Sequence, residues 1–222
     1  FGVLHVFSIS EQMTTPWFYL MALFTTVQML RINYFVATVK SQELFLFNSE
    51  KIAVEINKFF DLALPIGGLF SIPMIGLLLD NFTTLTVLTI LLVISLLIGI
   101  MGVLSVQFFA YFGIILLVIY RPFYYTAVSD YCTKVFGFKT FGTVYGSIIA
   151  FSGLCNVFQT VLDNLTHQTF NMNPIPVNLF LTGLTAVFGF SIIWFIKRQE
   201  LEIQKRKLID EANNAEVLPI PQ

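Results

Sequence analysis

Between Asn81 and Tyr120 the chain runs for 40 residues without one charged side chain. As a single helix that stretch would reach ~60 Å, about twice the ~30 Å hydrocarbon thickness of a bilayer. Only weak punctuation, Gly102, Ser105 and Gln107, interrupts it. The run therefore reads as two membrane crossings in succession, and helices can make them because they satisfy their own backbone hydrogen bonds.

Composition supports lipid as the solvent. Of the 222 residues, 56% are hydrophobic and 11% charged, whereas a soluble domain carries roughly 25% charged residues. The net charge of −1 argues against a nucleic-acid surface. Cys132 and Cys155 fall in apolar stretches and show no disulfide framework, so free thiols are expected. His5 and His167 lie far apart with no metal-site spacing, and neither a metal nor a cofactor is expected. The sequence opens at Phe1 without Met or a basic n-region. No signal peptide is visible, and the start reads as a cut boundary.

Gaps between charges predict six transmembrane helices, at about 16–39, 60–79, 84–105, 108–133, 140–162 and 175–196. Residues 1–15 form a lead-in and 198–222 a tail, disordered in part. Residues 40–58 carry Lys40, Glu43, Glu50, Lys51, Glu55 and Lys58 and read as a loop or a short surface helix. Residues 164–174 form a second polar loop on the same side. The tail side holds Lys134, Lys139, Lys197, Arg198, Lys205, Arg206 and Lys207, against Lys40, Lys51 and Lys58 opposite. This bias places lead-in and tail in the cytoplasm.

The informative residues are those that are costly in a membrane. A central Arg costs about 2.5–3.5 kcal/mol on insertion scales, and Arg31 and Arg121 both lie well inside their spans. Gln28, Arg31, Tyr34 and Thr38 share one face of the first helix. Tyr120, Arg121, Tyr124 and Tyr125 cluster on the fourth beside Pro122, which removes a backbone donor. Ser152, Asn156 and Gln159 form a polar stripe on the fifth. Polar faces on three helices imply a shared interior cavity. Alternatively, the arginines only tie helices together, but the carboxylates Asp61, Asp80, Asp130 and Asp163 all lie near span ends. Asp130 reads as a partner of Lys134 at i+4. No carboxylate or His is expected mid-span, so a proton relay is not evident. Gly142, Gly146, Ala150 and Gly153 make a small-residue stripe typical of helix packing.

Three stretches then resemble a known family. Gly76-Leu-Leu-Leu-Asp80, between the second and third helices, is similar to the G-x-x-x-D signature of the major facilitator superfamily, without its basic residues beyond Asp80. Leu30-Arg-Ile-Asn-Tyr-Phe35, preceded by Gln28, resembles the seventh-helix motif of solute carrier family 43. Ile119-Tyr-Arg-Pro-Phe-Tyr-Tyr125 resembles that family's tenth-helix motif, and Phe141-Gly-Thr-Val-Tyr-Gly146 the start of its eleventh helix. That family comprises facilitators of large neutral amino acids, a nucleobase-transporting branch and fungal relatives. The resemblance implies an all-α integral membrane fold, the C-terminal half of a twelve-helix bundle whose other six helices are a separate N-terminal half. It also implies that Arg31 and Arg121 flank a central cavity and could meet a substrate carboxylate.

The functional expectation is a transporter of a small polar metabolite, foremost a neutral amino acid, working by alternating access in a vacuolar or plasma membrane. The candidate substrate residues are Gln28, Arg31, Tyr34, Tyr120, Arg121, Tyr124, Tyr125, Asn156 and Gln159. The alternatives are a nucleobase transporter, or a non-transporting receptor or scaffold on the same fold. An enzyme ranks last, since no nucleophile motif, Cys/His/Asp cluster or phosphate loop is present.

Overall fold

A computed structural model describes residues 2–216, with the side chains of 215 and 216 left aside. Among these residues there are helices and no strands. Short α1 (Ile9–Met13) is followed by α2 (Pro16–Phe47), α3 (Glu50–Asn81), α4 (Thr84–Met101) and α5 (Gln107–Phe136). After these come α6 (Phe141–Cys155), α7 (Phe158–Asn164), a π-helical turn (Leu165–Thr169) and α8 (Ile175–Glu216). With α6, α7 and the π turn counted as one, six helical stretches are long and apolar enough to cross a membrane.

Several boundaries differ from the charge-gap reading. Residues 40–58 form neither a loop nor a surface helix; they are the ends of α2 and α3. No Gly or Pro stops α2 after Val39. It runs to Asn48, whose left-handed backbone (φ 48°) reverses the chain, and Ser49 then caps α3 through the Ile52 amide. The third helix stops at Met101 rather than near 105, while the fourth begins at Gln107 and reaches Phe136. The fifth is interrupted after Cys155 and resumes as α7. Of the polar loop expected over 164–174, Asn164 ends α7 and residues 165–169 form the π turn, so non-helical chain is confined to residues 170–174. The sixth helix does not end at 196. It continues as one helix to Glu216, so the expected disorder is absent up to there, and residues 217–222 lie outside the described region.

These extensions are possible because the headgroup layer supplies water and side chains that take the last carbonyls of a helix.

The two ends of the bundle can be told apart by contacts. At one end the Gly2 and Leu4 amides donate to the Lys134 and Val135 carbonyls at 2.8 and 3.2 Å. Gln12 Nε2 donates to the Leu4 and Phe136 carbonyls at 2.7 and 3.1 Å. The lead-in thus takes up carbonyls that the last turn of α5 would leave unpaired. Gly2, Val3 and Thr83 share a surface cleft with Glu200 and Lys207 of α8, so lead-in and tail lie at the same end. At the other end Asn178 Nδ2 donates to Gln42 Oε1 at 2.9 Å, beside the Asn48 turn. At the lead-in end, Lys134 pairs with Asp130 at 2.7 Å, as its i+4 spacing predicts.

Among the described residues the close helix contacts fall at glycines outside the expected stripe. A Cβ at Gly142, Gly146 or Gly153 would meet nothing among the described residues; their stripe faces outward, because the opposite face of α6 carries buried Val144, Ile148 and Ser152. The close approaches lie elsewhere. A Cβ at Gly189 would run into the Leu92 side chain, one at Gly99 into Thr182, and one at Gly67 into Val118. The first two bring α4 and α8 together, the third α3 and α5, as small residues do where lipid offers no hydrophobic driving force. Gly189→Val should therefore lower the melting temperature of the full-length protein in nanodiscs, since overpacking costs about 1–3 kcal/mol. Gly183→Val, at an open position of the same helix, should leave it unchanged. Equal losses would show that close approach at Gly189 is not the constraint.

Candidate functional site

The centre of the bundle is a chain of hydrogen bonds built around α2. Arg31 Nη1 donates to Ser95 Oγ at 2.6 Å, and Ser95 Oγ donates to Gln28 Oε1 at 2.7 Å. Tyr120 Oη donates to the same Oε1 at 2.6 Å. Gln28 Nε2 donates to Thr185 Oγ1 at 3.2 Å. One amide thereby joins α2, α4, α5 and α8. Gln28, Ser95 and Thr185 are fully buried and Arg31 is 8% exposed. The i, i+3 spacing of Gln28 and Arg31 aims both at α4, where Ser95 supplies a hydroxyl able to accept and donate at once.

A second polar seam joins α2 to the interrupted fifth span. Thr26 and Ser152 share a hydrogen bond of 3.1 Å. Asn33 Nδ2 donates to Asn156 Oδ1 at 3.0 Å, and Asn156 Nδ2 donates to Gln159 Oε1 at 3.3 Å. Tyr34 and Thr166 share one of 2.6 Å. The Ser152, Asn156 and Gln159 stripe thus faces α2, and Asn156 sits at the break between α6 and α7. Tyr34 leaves the Gln28–Arg31 network and points to the π turn, although sequence spacing put all three on one face. The seam used two residues that the sequence reading did not single out, Thr26 and Asn33. The i, i+7 spacing of these polar side chains in an apolar helix was the available signal.

Arg121 occupies different ground. It is half-buried in a groove between α3 and α5, lined by Leu64, Pro65, Gly68, Pro122 and Tyr125. Among the described residues its side chain makes no hydrogen bond or ion pair. The tyrosines beside it stack in sequence. Tyr120 and Tyr124 rings lie 5.7 Å apart at 24°, and Tyr124 and Tyr125 lie 4.2 Å apart at 31°. Tyr120 and Tyr124 are buried, and Tyr125 alone of the three reaches the groove wall. The expectation that Arg31 and Arg121 share one cavity is corrected. Arg31 lies inside the packed core and Arg121 on an open face, because α5 turns Tyr120 toward α2 and the next residue toward α3.

Gly76 and Asp80 sit on the exposed end of α3, and Asp80 has no hydrogen bond or ion pair among the described residues. Cys132 and Cys155 are free thiols, Cys132 buried. No cluster of three or more His, Cys, Asp or Glu side chains occurs among the described residues. Glu43, expected in a polar loop, lies in α2 and is 3% exposed, so a buried carboxylate does occur within a span. The signal was the unbroken helical sequence after Val39.

Six apolar helices knit by buried hydrogen bonds define a multi-pass α-helical membrane protein. Over 202 residues the chain is 55% identical to Protein FMP42 of Saccharomyces cerevisiae, a match covering 90% of this chain and 40% of that protein. The chain thus spans about two fifths of the length of the curated relative it matches. No family model matches it, and no solved structure does.

The shared Gln28 amide gives a direct test. Gln28→Leu leaves Tyr120 and Ser95 without their acceptor, and a buried orphan donor costs about 1–3 kcal/mol. Tyr120→Phe removes one donor and leaves the rest paired, so it should destabilise less. The double variant should cost less than the sum of the single ones, read by thermal unfolding in nanodiscs; strict additivity would mean that the bonds act independently.

Proposed function

We propose that the chain is the six-helix half of a major-facilitator-type transporter, not an enzyme, and that it carries a small polar metabolite, with a neutral amino acid the first candidate. The observation that supports this most is the groove at Arg121. An unpaired guanidinium within a membrane span is costly, and one kept at a groove open on one face is suited to a water-filled path. The surrounding faces are open too. Only 11% of the most apolar window of α3 and 17% of that of the fifth span is buried, against 56% for α2. A second six-helix half covering those faces would close the groove into a central cavity, with Arg121 and Tyr125 on its wall. The interruption at Asn156 fits the same reading, since discontinuous helices line transporter sites. In this reading the lead-in and tail face the cytoplasm, in agreement with the Lys and Arg bias.

The test is Arg121→Lys in the full-length protein. It keeps the charge but loses the planar fork that holds a carboxylate in two places. Initial uptake across a panel of amino acids and nucleobases should fall at least about tenfold, while abundance in the membrane stays normal. Normal uptake at normal abundance would remove Arg121 from the pathway. Parallel loss of uptake and abundance would make it a residue that holds helices together.

A further inference from the structure

A second buried crevice lies away from the Arg121 groove, between α2, α4, α5 and α8. Its free volume is about 40 Å³, room for a few water-sized groups or one small ligand. Chain direction fixes its depth. α2 and α4 run toward the Asn48 end of the bundle, while α5 and α8 run away from it. Leu117 and Thr182 therefore lie deep, beside Arg31, and Glu43, Phe109 and Asn178 lie at the mouth.

The two ionisable groups on this wall are both incomplete. Arg31 spends Nη1 on Ser95, but Nη2 is buried and has no hydrogen-bond partner. Among the described residues Asp130 pairs with Lys134 and Asp163 lies against His167, and no carboxylate pairs with Arg31. Glu43 Oε2 is also buried and unpartnered. The two residues are 12 apart on α2, ~18 Å between Cα atoms, which keeps them from pairing directly. A buried charged donor left open favours an anionic partner. Between the two polar ends the crevice is walled by Phe35, Ile114 and Leu117, which suits an apolar body rather than a bare hydrated ion. The same apolar wall disfavours a second charge on the body of an occupant.

We propose that this crevice binds a short organic monocarboxylate, with its carboxylate on Arg31 Nη2 and its apolar body along α5. The site is distinct from the Arg121 groove and does not rest on the transport reading. Glycine sets its width. A Cβ on Gly99 would lie 2.6 Å from Arg31 Nη2, and one on Gly113 would lie 3.3 Å from the Met101 Cβ.

Titration calorimetry on the full-length protein in nanodiscs tests the proposal, with butyrate, succinate and chloride as probes. Butyrate should bind saturably, and Arg31→Gln should weaken it at least about tenfold. Gly113→Leu should do the same by filling the crevice while leaving the Arg31–Ser95 bond in place, and its melting temperature reports folding. Succinate should bind more weakly than butyrate, because its second carboxylate would lie against the Phe35, Ile114 and Leu117 wall. Arg121→Gln should leave butyrate binding intact, which separates this site from the groove. Absence of saturable butyrate binding, or equal affinity in folded Arg31→Gln and Gly113→Leu, would overturn the proposal. Chloride binding as tight as butyrate would overturn the organic class and make the site an inorganic-anion site. Loss of butyrate binding in Arg121→Gln alone would move the carboxylate to the groove.

Discussion

The bundle depends on one buried side-chain amide. Gln28 accepts from Ser95 and Tyr120 and donates to Thr185, so α2, α4, α5 and α8 meet at a single group. In lipid such a junction carries particular weight. Apolar side chains gain little by leaving hydrocarbon for one another, and association rests on close packing and hydrogen bonds between helices. Gly99 and Gly189 let α4 and α8 come close enough for those short polar side chains to reach. The glycines and the amide network therefore act together: the first sets the distance, the second uses it.

From this junction the molecule divides into a packed side and an open side. α2 is the axis between them. One flank of it enters the Gln28 network and another the seam with Ser152, Asn156 and Thr166. The outward faces of α3 and α6 carry apolar side chains and the unpacked stripe of Gly142, Gly146 and Gly153. Arg121 belongs to this open side and Arg31 to the packed side. Two arginines that look equivalent in sequence thus face different problems. One is half-exposed in a groove; the other is buried with one nitrogen unpaired.

Much of the site was legible residue by residue, but not its grouping. Arg31, Gln28, Tyr120 and Asn156 stood out because each is expensive in an apolar helix, and each has a polar partner in the fold. Helical periodicity could not say that Tyr34 leaves the Arg31 face for Thr166, since six residues from Gln28 to Tyr34 turn the helix by ~600° and a long phenol reaches across the remaining offset. Glu43 was hidden by its neighbours. Lys40, Glu43 and Lys51 looked like a hydrated loop, whereas the helix continues and folds Glu43 inward while Lys40 stays out. No neighbour among the described residues approaches Gly142, Gly146 and Gly153, because a small-residue stripe marks where a helix can be approached, not which neighbour approaches it.

The sequence by itself determined the solvent, the number of crossings and the identity of the costly side chains. These follow from local properties: the length of uncharged runs, the bilayer thickness and the price of burying charge. Only the tertiary structure decided which costly groups meet. Ser95 lies 64 residues from Arg31, and Thr185 lies 157 from Gln28. No periodicity within one helix records how it is rotated against another, because that rotation is fixed by the joint packing of four helices. The same packing separated Arg31 from Arg121, and so turned one expected cavity into a core crevice and an open groove.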